Sequence, residues 1–171
     1  MIFGGLITTL LALGLVSLAV WFGAIPAPFD VPFITPEPED TTIAQPCPPA
    51  DALPVPYSEI TANVYNGTTR GGLAAATASE LESRGLTIAA RANDPTGRYF
   101  GATLIRAGQA GLAEAYTAAA LFPDAIVQLD VRDGATIDIT LGSEYEAMRP
   151  SGEALLDPNQ PIAAPEGCFQ P

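Results

Sequence analysis

Residues 1–25 contain eighteen apolar side chains, four glycines, two threonines, one serine and no charge. A run of that length and composition has few options in water. At ~1.5 Å per helical residue it is long enough to cross a hydrocarbon core of ~30 Å. Trp21 and Phe22 stand where interfacial aromatics sit, and Pro26 cannot continue the helix. A cleaved signal peptide needs a basic leader, a shorter apolar stretch and a small-x-small cleavage site. Here no basic residue precedes the run, and Phe22 or Ile25 falls at the −3 position before Ala24 or Ala27. The expectation is an uncleaved single-pass membrane anchor over 1–25. No arginine or lysine occurs before Arg70, so loop charge does not set the orientation. Two cysteines and an acidic domain favour an extracytoplasmic C-terminal side. The apolar run begins at residue 1 without a basic leader, which suggests a native start upstream of Met1.

Residues 26–56 hold ten of the seventeen prolines, with the acids Asp30, Glu37, Glu39, Asp40 and Asp51 between them. Such a segment favours polyproline II over helix or central strand; at ~3.1 Å per residue it reaches at most ~95 Å. It reads as a solvated linker or stalk. From Tyr57 the pattern becomes that of a folded domain, expected over 57–147 and followed by an irregular tail at 148–171.

Within that domain Ile60–Tyr65 reads as a strand stopped by Asn66-Gly67. Leu73–Arg84 reads as a helix with Leu73, Ala74, Thr77, Ala78 and Leu81 on one face and Gly85 just beyond its end. Leu86–Arg91 and Thr103–Arg106 read as strands. Gly108–Phe122 reads as a second helix with Leu112, Tyr116, Ala119 and Ala120 inward. Ala125–Asp130 and Thr136–Leu141 alternate with period two around Asp133-Gly134, a hairpin pattern. The order β-α-β-β-α-β-β predicts a two-layer α+β fold with two helices on one face of a four- or five-stranded sheet. Glu153–Leu156 can form a single turn.

Composition narrows the chemistry. The chain has 19 acidic residues against 7 basic ones, every basic residue is an arginine, and it has no histidine. That removes Ser-His and Cys-His nucleophile systems, lysine Schiff bases and the P-loop, and the usual zinc sets. With a net charge of −12 the chain lacks the basic footprint of a nucleic-acid binder. No cofactor and no metal are expected. Glu80, Glu82, Glu144 and Glu146 are the carboxylates a glycosidase pair would draw on, but no pattern sets two of them in opposed, dry positions. Asp130, Asp133 and Asp138 do not follow the EF-hand spacing and read as ordinary hairpin acids. Cys47 and Cys168 lie outside every expected core element, and in an oxidising compartment an even count reads as a bridge. It would close a loop of about 120 residues, worth ~4 kcal/mol on the chain-entropy model, and tie the tail back to the domain.

The most distinctive stretch is Val64-Tyr65-Asn66-Gly67-Thr68-Thr69-Arg70-Gly71-Gly72-Leu73-Ala74, a strand, a glycine-rich loop and a helix start. It offers backbone N–H groups and Arg70 to an anion. The plainer reading is that Gly67 and Gly71-Gly72 supply positive φ for a tight connection. Arg98-Tyr99-Phe100, beside Asn93-Asp94, can stack on a sugar; the plainer reading is that they close a loop onto the sheet edge. Asn66, Gly67, Thr68, Arg70, Arg98 and Tyr99 are therefore the candidate anion- or glycan-binding residues.

Val64-Tyr65-Asn66-Gly67-Thr68, then Gly72-Leu73-Ala74, a helix ending Arg84-Gly85, and Leu141-Gly142-Ser143-Glu144-Tyr145 resemble the LytR C-terminal domain family over about residues 58–147. The resemblance implies a non-enzymatic module outside the membrane, tied to envelope and cell-wall assembly. Its implied partners are wall-assembly proteins. Two other readings stand beside it: a module that binds peptidoglycan or a wall glycopolymer directly and, more weakly, an envelope hydrolase. Larger relatives carry a LytR–CpsA–Psr phosphotransferase domain; nothing in this sequence corresponds to it, so that activity is not carried over.

Overall fold

The computed structural model describes residues 2–23, 43–153 and 156–171, in two units divided near residue 41. The first contains α1 (Ile2–Trp21), and its residues 3–21 are long and apolar enough to cross a membrane. Its two threonines do not break that character. Thr8 Oγ1 and Thr9 Oγ1 donate to the carbonyls of Gly4 and Gly5, so neither hydroxyl needs water. Residues 24–42, which take in the first part of the stalk expected at 26–56, lie outside the described residues, as do Ala154 and Leu155 of the expected turn.

The second unit runs from Thr42 to Pro171. Its elements are β1 (Thr61–Asn66), α2 (Leu73–Ser83), β2 (Thr87–Asn93), β3 (Thr103–Ala107), α3 (Leu112–Ala119), β4 (Ala125–Leu129) and β5 (Ile137–Leu141). β1-α2-β2 and β3-α3-β4 are two crossover units, each joining parallel neighbours. Right-handed crossovers from antiparallel starting strands put both helices on the same face. The sheet order is β2-β1-β5-β3-β4, with β5 parallel to β1 and antiparallel to β3.

The hairpin expected around Asp133-Gly134 is therefore absent: β4 and β5 do not pair, and β3 lies between them. Each crossover unit alone is a two-stranded ribbon, and β5 is the seam that joins them. Ile137, Ile139 and Leu141 are wholly buried on its helix face. Residues 130–136 must step over the end of β3, about 10 Å at ~4.8 Å per strand spacing. Two glycines make room for that arch. A Cβ on Gly108 would stand 2.4 Å from the Arg132 carbonyl oxygen, and one on Gly111 would stand 3.0 Å from that of Ala135.

The core under the sheet combines Val64, Ile105 and Ile139 with Leu81, Leu112 and Phe122. Ala74, Ala78, Ala115 and Ala118 let the helices lie close to it. In α2 the buried face is Ala74, Thr77, Ala78 and Leu81, and Gly85 turns the chain out at φ +105°. The second helix is shorter than its pattern suggested, with a 3-10 turn at Gln109–Gly111 before α3. Its buried residues are Leu112, Ala115, Tyr116, Thr117 and Ala118, while Ala119 and Ala120 are half-buried. The reason is a second cover. Val55 N donates to Thr117 Oγ1 at 3.0 Å, and the Tyr116 hydroxyl donates to the Pro46 carbonyl. Burial pushes that phenol up to about 12.

Residues 43–56, grouped with the linker for their prolines, thus pack on the domain. Gln45 Oε1 accepts from Val127 N at 2.8 Å, so this segment also caps the β4 edge. Cys47 and Cys168 are bridged, with Cys47 N donating to the Phe169 carbonyl at 2.7 Å and Phe169 N to that of Gln45 at 3.0 Å.

Candidate functional site

The strand-to-helix loop after β1 is built by its own side chains. Asn66 Oδ1 accepts from Thr68 N at 3.0 Å and from Thr68 Oγ1 at 2.7 Å, while its Nδ2 donates to the Arg70 carbonyl at 2.7 Å. This is an Asx turn closed at both ends. Arg70 folds inward: Nη2 donates to the carbonyls of Tyr145 at 2.7 Å and Gly142 at 3.2 Å, and the guanidinium lies 6.0 Å from the Tyr145 ring centre. Asn66 and Arg70 hold the loop rather than offer free groups.

Of the three loop glycines only Gly72 has positive φ, at +77°. The expectation of positive φ at Gly67 and Gly71 is corrected. Gly67 is favoured by close approach, because a Cβ there would meet Tyr99 Cβ at 3.0 Å and the Leu141 carbonyl oxygen at 3.1 Å. Its N–H donates to Leu141 and its carbonyl accepts from Tyr99 N, each at 2.9 Å, which pins the 94–101 loop across the sheet end.

That loop brings Arg98 and Tyr99 beside Gly67, Thr68 and Arg70 in a pocket of about 210 Å³, completed by Phe100 and Ser143. Asn66 lies beneath and does not line it. Arg98 is exposed and, among the described residues, has no hydrogen-bond or ion-pair partner; Phe100 is 72% exposed. Burial, then the nearby Glu144 charge, push the Tyr99 phenol up. A free guanidinium, hydroxyls and an uncovered aromatic ring share one rim.

On its other side the 94–101 loop walls a second pocket, about 370 Å³, on the sheet face opposite α2 and α3. The alternation that buries Val64, Ile105 and Ile139 under the helices places Asn63, Tyr65, Arg106 and Asp138 on this face. Asp138 and Asp130 both accept from Arg132 there, and Asn63 Nδ2 donates to Asp138 at 2.8 Å. The bonds to Asp138 and then Asp130 raise the Arg132 pKa beyond its normal value, and the Arg132 bond holds Asp130 below the usual carboxylate range. Burial, then the Asp138 charge, push the Tyr65 phenol up.

Asp94 anchors the shared loop. Its side chain is 1% exposed, and it accepts from Thr96 N, Thr96 Oγ1 and Thr140 Oγ1 at 2.8, 2.6 and 2.9 Å. Burial alone would raise its pKa; the Thr96 and Thr140 bonds, with the Arg106 charge, outweigh it and hold the carboxyl low. A group depressed in the folded state binds fewer protons there than in the unfolded chain. Its stabilisation is present above the unfolded pKa and is lost as pH falls through the folded one. Asp94→Asn is expected to cost about 1–3 kcal/mol at neutral pH and to flatten the loss of stability between about pH 4 and the folded pKa. Melting midpoints measured against pH check it; parallel acid profiles for the two proteins would contradict it.

Sequence reasoning missed the second pocket, although outward-facing Tyr65, Arg106 and Asp138 at alternate strand positions were a usable signal. Among the described residues no cluster of three or more metal-ligating side chains occurs.

Both pockets lie within a stretch that known proteins share. The sequence profile of the LytR C-terminal domain, described as LytR cell envelope-related transcriptional attenuator, matches residues 59–145. The chain belongs to this family. The chain is also similar to the soluble domain of a conserved hypothetical secreted protein from Mycobacterium marinum, known from its crystal structure. The two are 28% identical, with a TM-score of 0.57 over 66% of this chain and 83% of that one. No curated protein matches the chain. The family match begins just before β1 and ends at Tyr145, so it takes in every strand of the sheet, the Asn66–Arg70 turn and the 94–101 loop.

Proposed function

We propose that the chain is a single-pass envelope protein whose domain lies outside the cytoplasmic membrane and acts as an interaction or scaffold module in cell-wall maintenance, not as an enzyme. Family membership, the apolar α1 and the likeness to a secreted domain support the location. Anchor, proline-rich linker and cysteine pair together resemble the actinobacterial envelope-integrity protein Cei. The observation that carries the module reading is the state of the polar groups in the second pocket. Asp94, Asp130 and Asp138 are each held by fixed donors, so none stands as a free base or nucleophile beside a partner acid. Crosslinking in intact membranes, followed by identification of the crosslinked proteins, tests it: wall-assembly proteins captured by the wild type are expected. Capture of none of them would sink the scaffold reading.

Direct glycan binding is a second reading, favoured by unpaired Arg98 next to exposed Phe100. An aromatic face and a guanidinium are the usual handles for a sugar ring and its anionic substituent. Under that reading the protein co-sediments with isolated wall sacculi, and Arg98→Ala combined with Phe100→Ala weakens retention about tenfold or more. Retention equal in variant and wild type would remove these residues from the site.

A further inference from the structure

The second pocket has an imbalance of hydrogen-bonding groups. Each carboxylate oxygen at or beneath it already accepts a hydrogen bond: Asp138 from Asn63 and Arg132, Asp130 from Val131 N and Arg132, and Asp94, beneath the pocket, from Thr96 and Thr140. The pocket's donors are not all engaged. Arg106 reaches Asp94 Oδ2 and Thr140 Oγ1 only through Nη1, at 3.5 Å each, too long to count as full bonds. Among the described residues its Nε and Nη2 have no acceptor. The Tyr65 hydroxyl and the Gln128 side-chain amide line the same pocket, and among the described residues they have no hydrogen bond either. An arginine carries five N–H donors in a planar fork and no acceptor. A half-buried fork with donors to spare is complementary to a planar, acceptor-only group such as a carboxylate.

We infer that this pocket binds a carboxylate-bearing small molecule or chain end, received by the free edge of the Arg106 guanidinium, with Tyr65 and Gln128 donating beside it. The counter-charges do not forbid this. The Asp94 side chain is 1% exposed and does not line the pocket, while the Arg106 side chain is 22% exposed and does, so an arriving ligand meets the arginine first. Asp130 and Asp138 face their own arginine. Two guanidiniums against three carboxylates give no net attraction, so recognition is directional and short-range. The carboxylate can belong to a peptide terminus or to an acidic sugar, and the two sources share this chemistry.

The test uses the full chain in detergent micelles and two matched probe pairs: N-acetylalanine against its amide, and glucuronate against glucose. The Arg106 Nε–Hε and Gln128 amide NMR signals report occupancy. Saturable shifts with at least one acid, and none with its neutral partner, are expected. Which acid acts identifies the source. Arg106→Gln is expected to weaken binding at least about tenfold, with Tyr65→Phe smaller. Unaltered backbone spectra show that each variant is folded; should Arg106→Gln unfold, Arg106→Lys keeps the charge, removes the fork and is expected to weaken the acid probe similarly. Equal shifts from acid and neutral partner, no shift from either acid, or undiminished binding by the folded Arg106 variant overturn the inference.

Discussion

Replacing Cys47 with serine is expected to destabilise the folded unit by about 4 kcal/mol, a drop of about 10–15 °C in melting midpoint. The bridge spans a sequence separation of 121, which is almost the whole unit, so its loss frees a very large loop in the unfolded ensemble. The native side loses as well. The Cys47 and Phe169 backbone bonds, the Tyr116 bond to Pro46 and the Gln45 cap on β4 all depend on residues 45–47 staying against the tail. All five tyrosines lie between residues 57 and 145, while the single tryptophan is Trp21 in the anchor. Near-ultraviolet circular dichroism of the tyrosines therefore follows the domain alone. Cys168→Ser is expected to match Cys47→Ser, with no further loss in the double variant, because all three remove the same link. A midpoint that moves by less than a few degrees on adding reductant would refute the structural role.

Gly142→Ala is expected to cost about 3 kcal/mol or more, with loss of the 94–101 loop's fixed position. A Cβ there would stand 1.9 Å from the Gly101 carbonyl oxygen and 2.6 Å from the Tyr99 ring. Neither neighbour can give way cheaply. Gly142 N donates to the Ala102 carbonyl at 2.8 Å, Ser143 N to that of Tyr99 at 3.0 Å and Glu144 N to that of Gly101 at 3.2 Å. Moving the loop by the ångström needed breaks these together and opens both pockets, since the loop is the wall between them. Gly71→Ala and Gly152→Ala meet nothing within 4 Å and are expected to change stability little. Thermal melts of the three variants check the contrast; a Gly142 variant as stable as the Gly71 one would mean the two segments are not locked together.

Much of the domain was readable as pattern. The buried face of α2, the stop at Gly85 and the alternation of β1 and β5 follow from periods of 3.6 and 2. What misled was local. Asp133-Gly134 between two alternating runs is a strong hairpin signal, yet Gly134 at φ +93° serves an arch that steps over β3. Prolines at 46, 48 and 49 mark an extended chain, but extended chain can pack: Pro46, Cys47 and Pro48 are buried. The same limit applies to the candidate residues. Side-chain type made Asn66 and Arg70 equal in promise to Arg98, and only their partners separate the two loop builders from Arg98, which has none among the described residues.

The sequence alone determined an uncharged apolar segment fit to span a membrane, an inventory without lysine or histidine, and two βαβ units whose helix faces are small enough to lie on a sheet. Those are properties of composition and of short-range periodicity, which sets the face a side chain takes. Tertiary structure decided which strand lies next to which. β5 joins the two units because only a central position buries Ile137, Ile139 and Leu141 while satisfying both of its edges. That placement sets Arg106 beside Asp138 and Tyr65 beside Thr140 across long gaps in the chain. Whether a donor is engaged or open depends on those neighbours, so the pocket on the face opposite α2 and α3 exists only in the folded molecule.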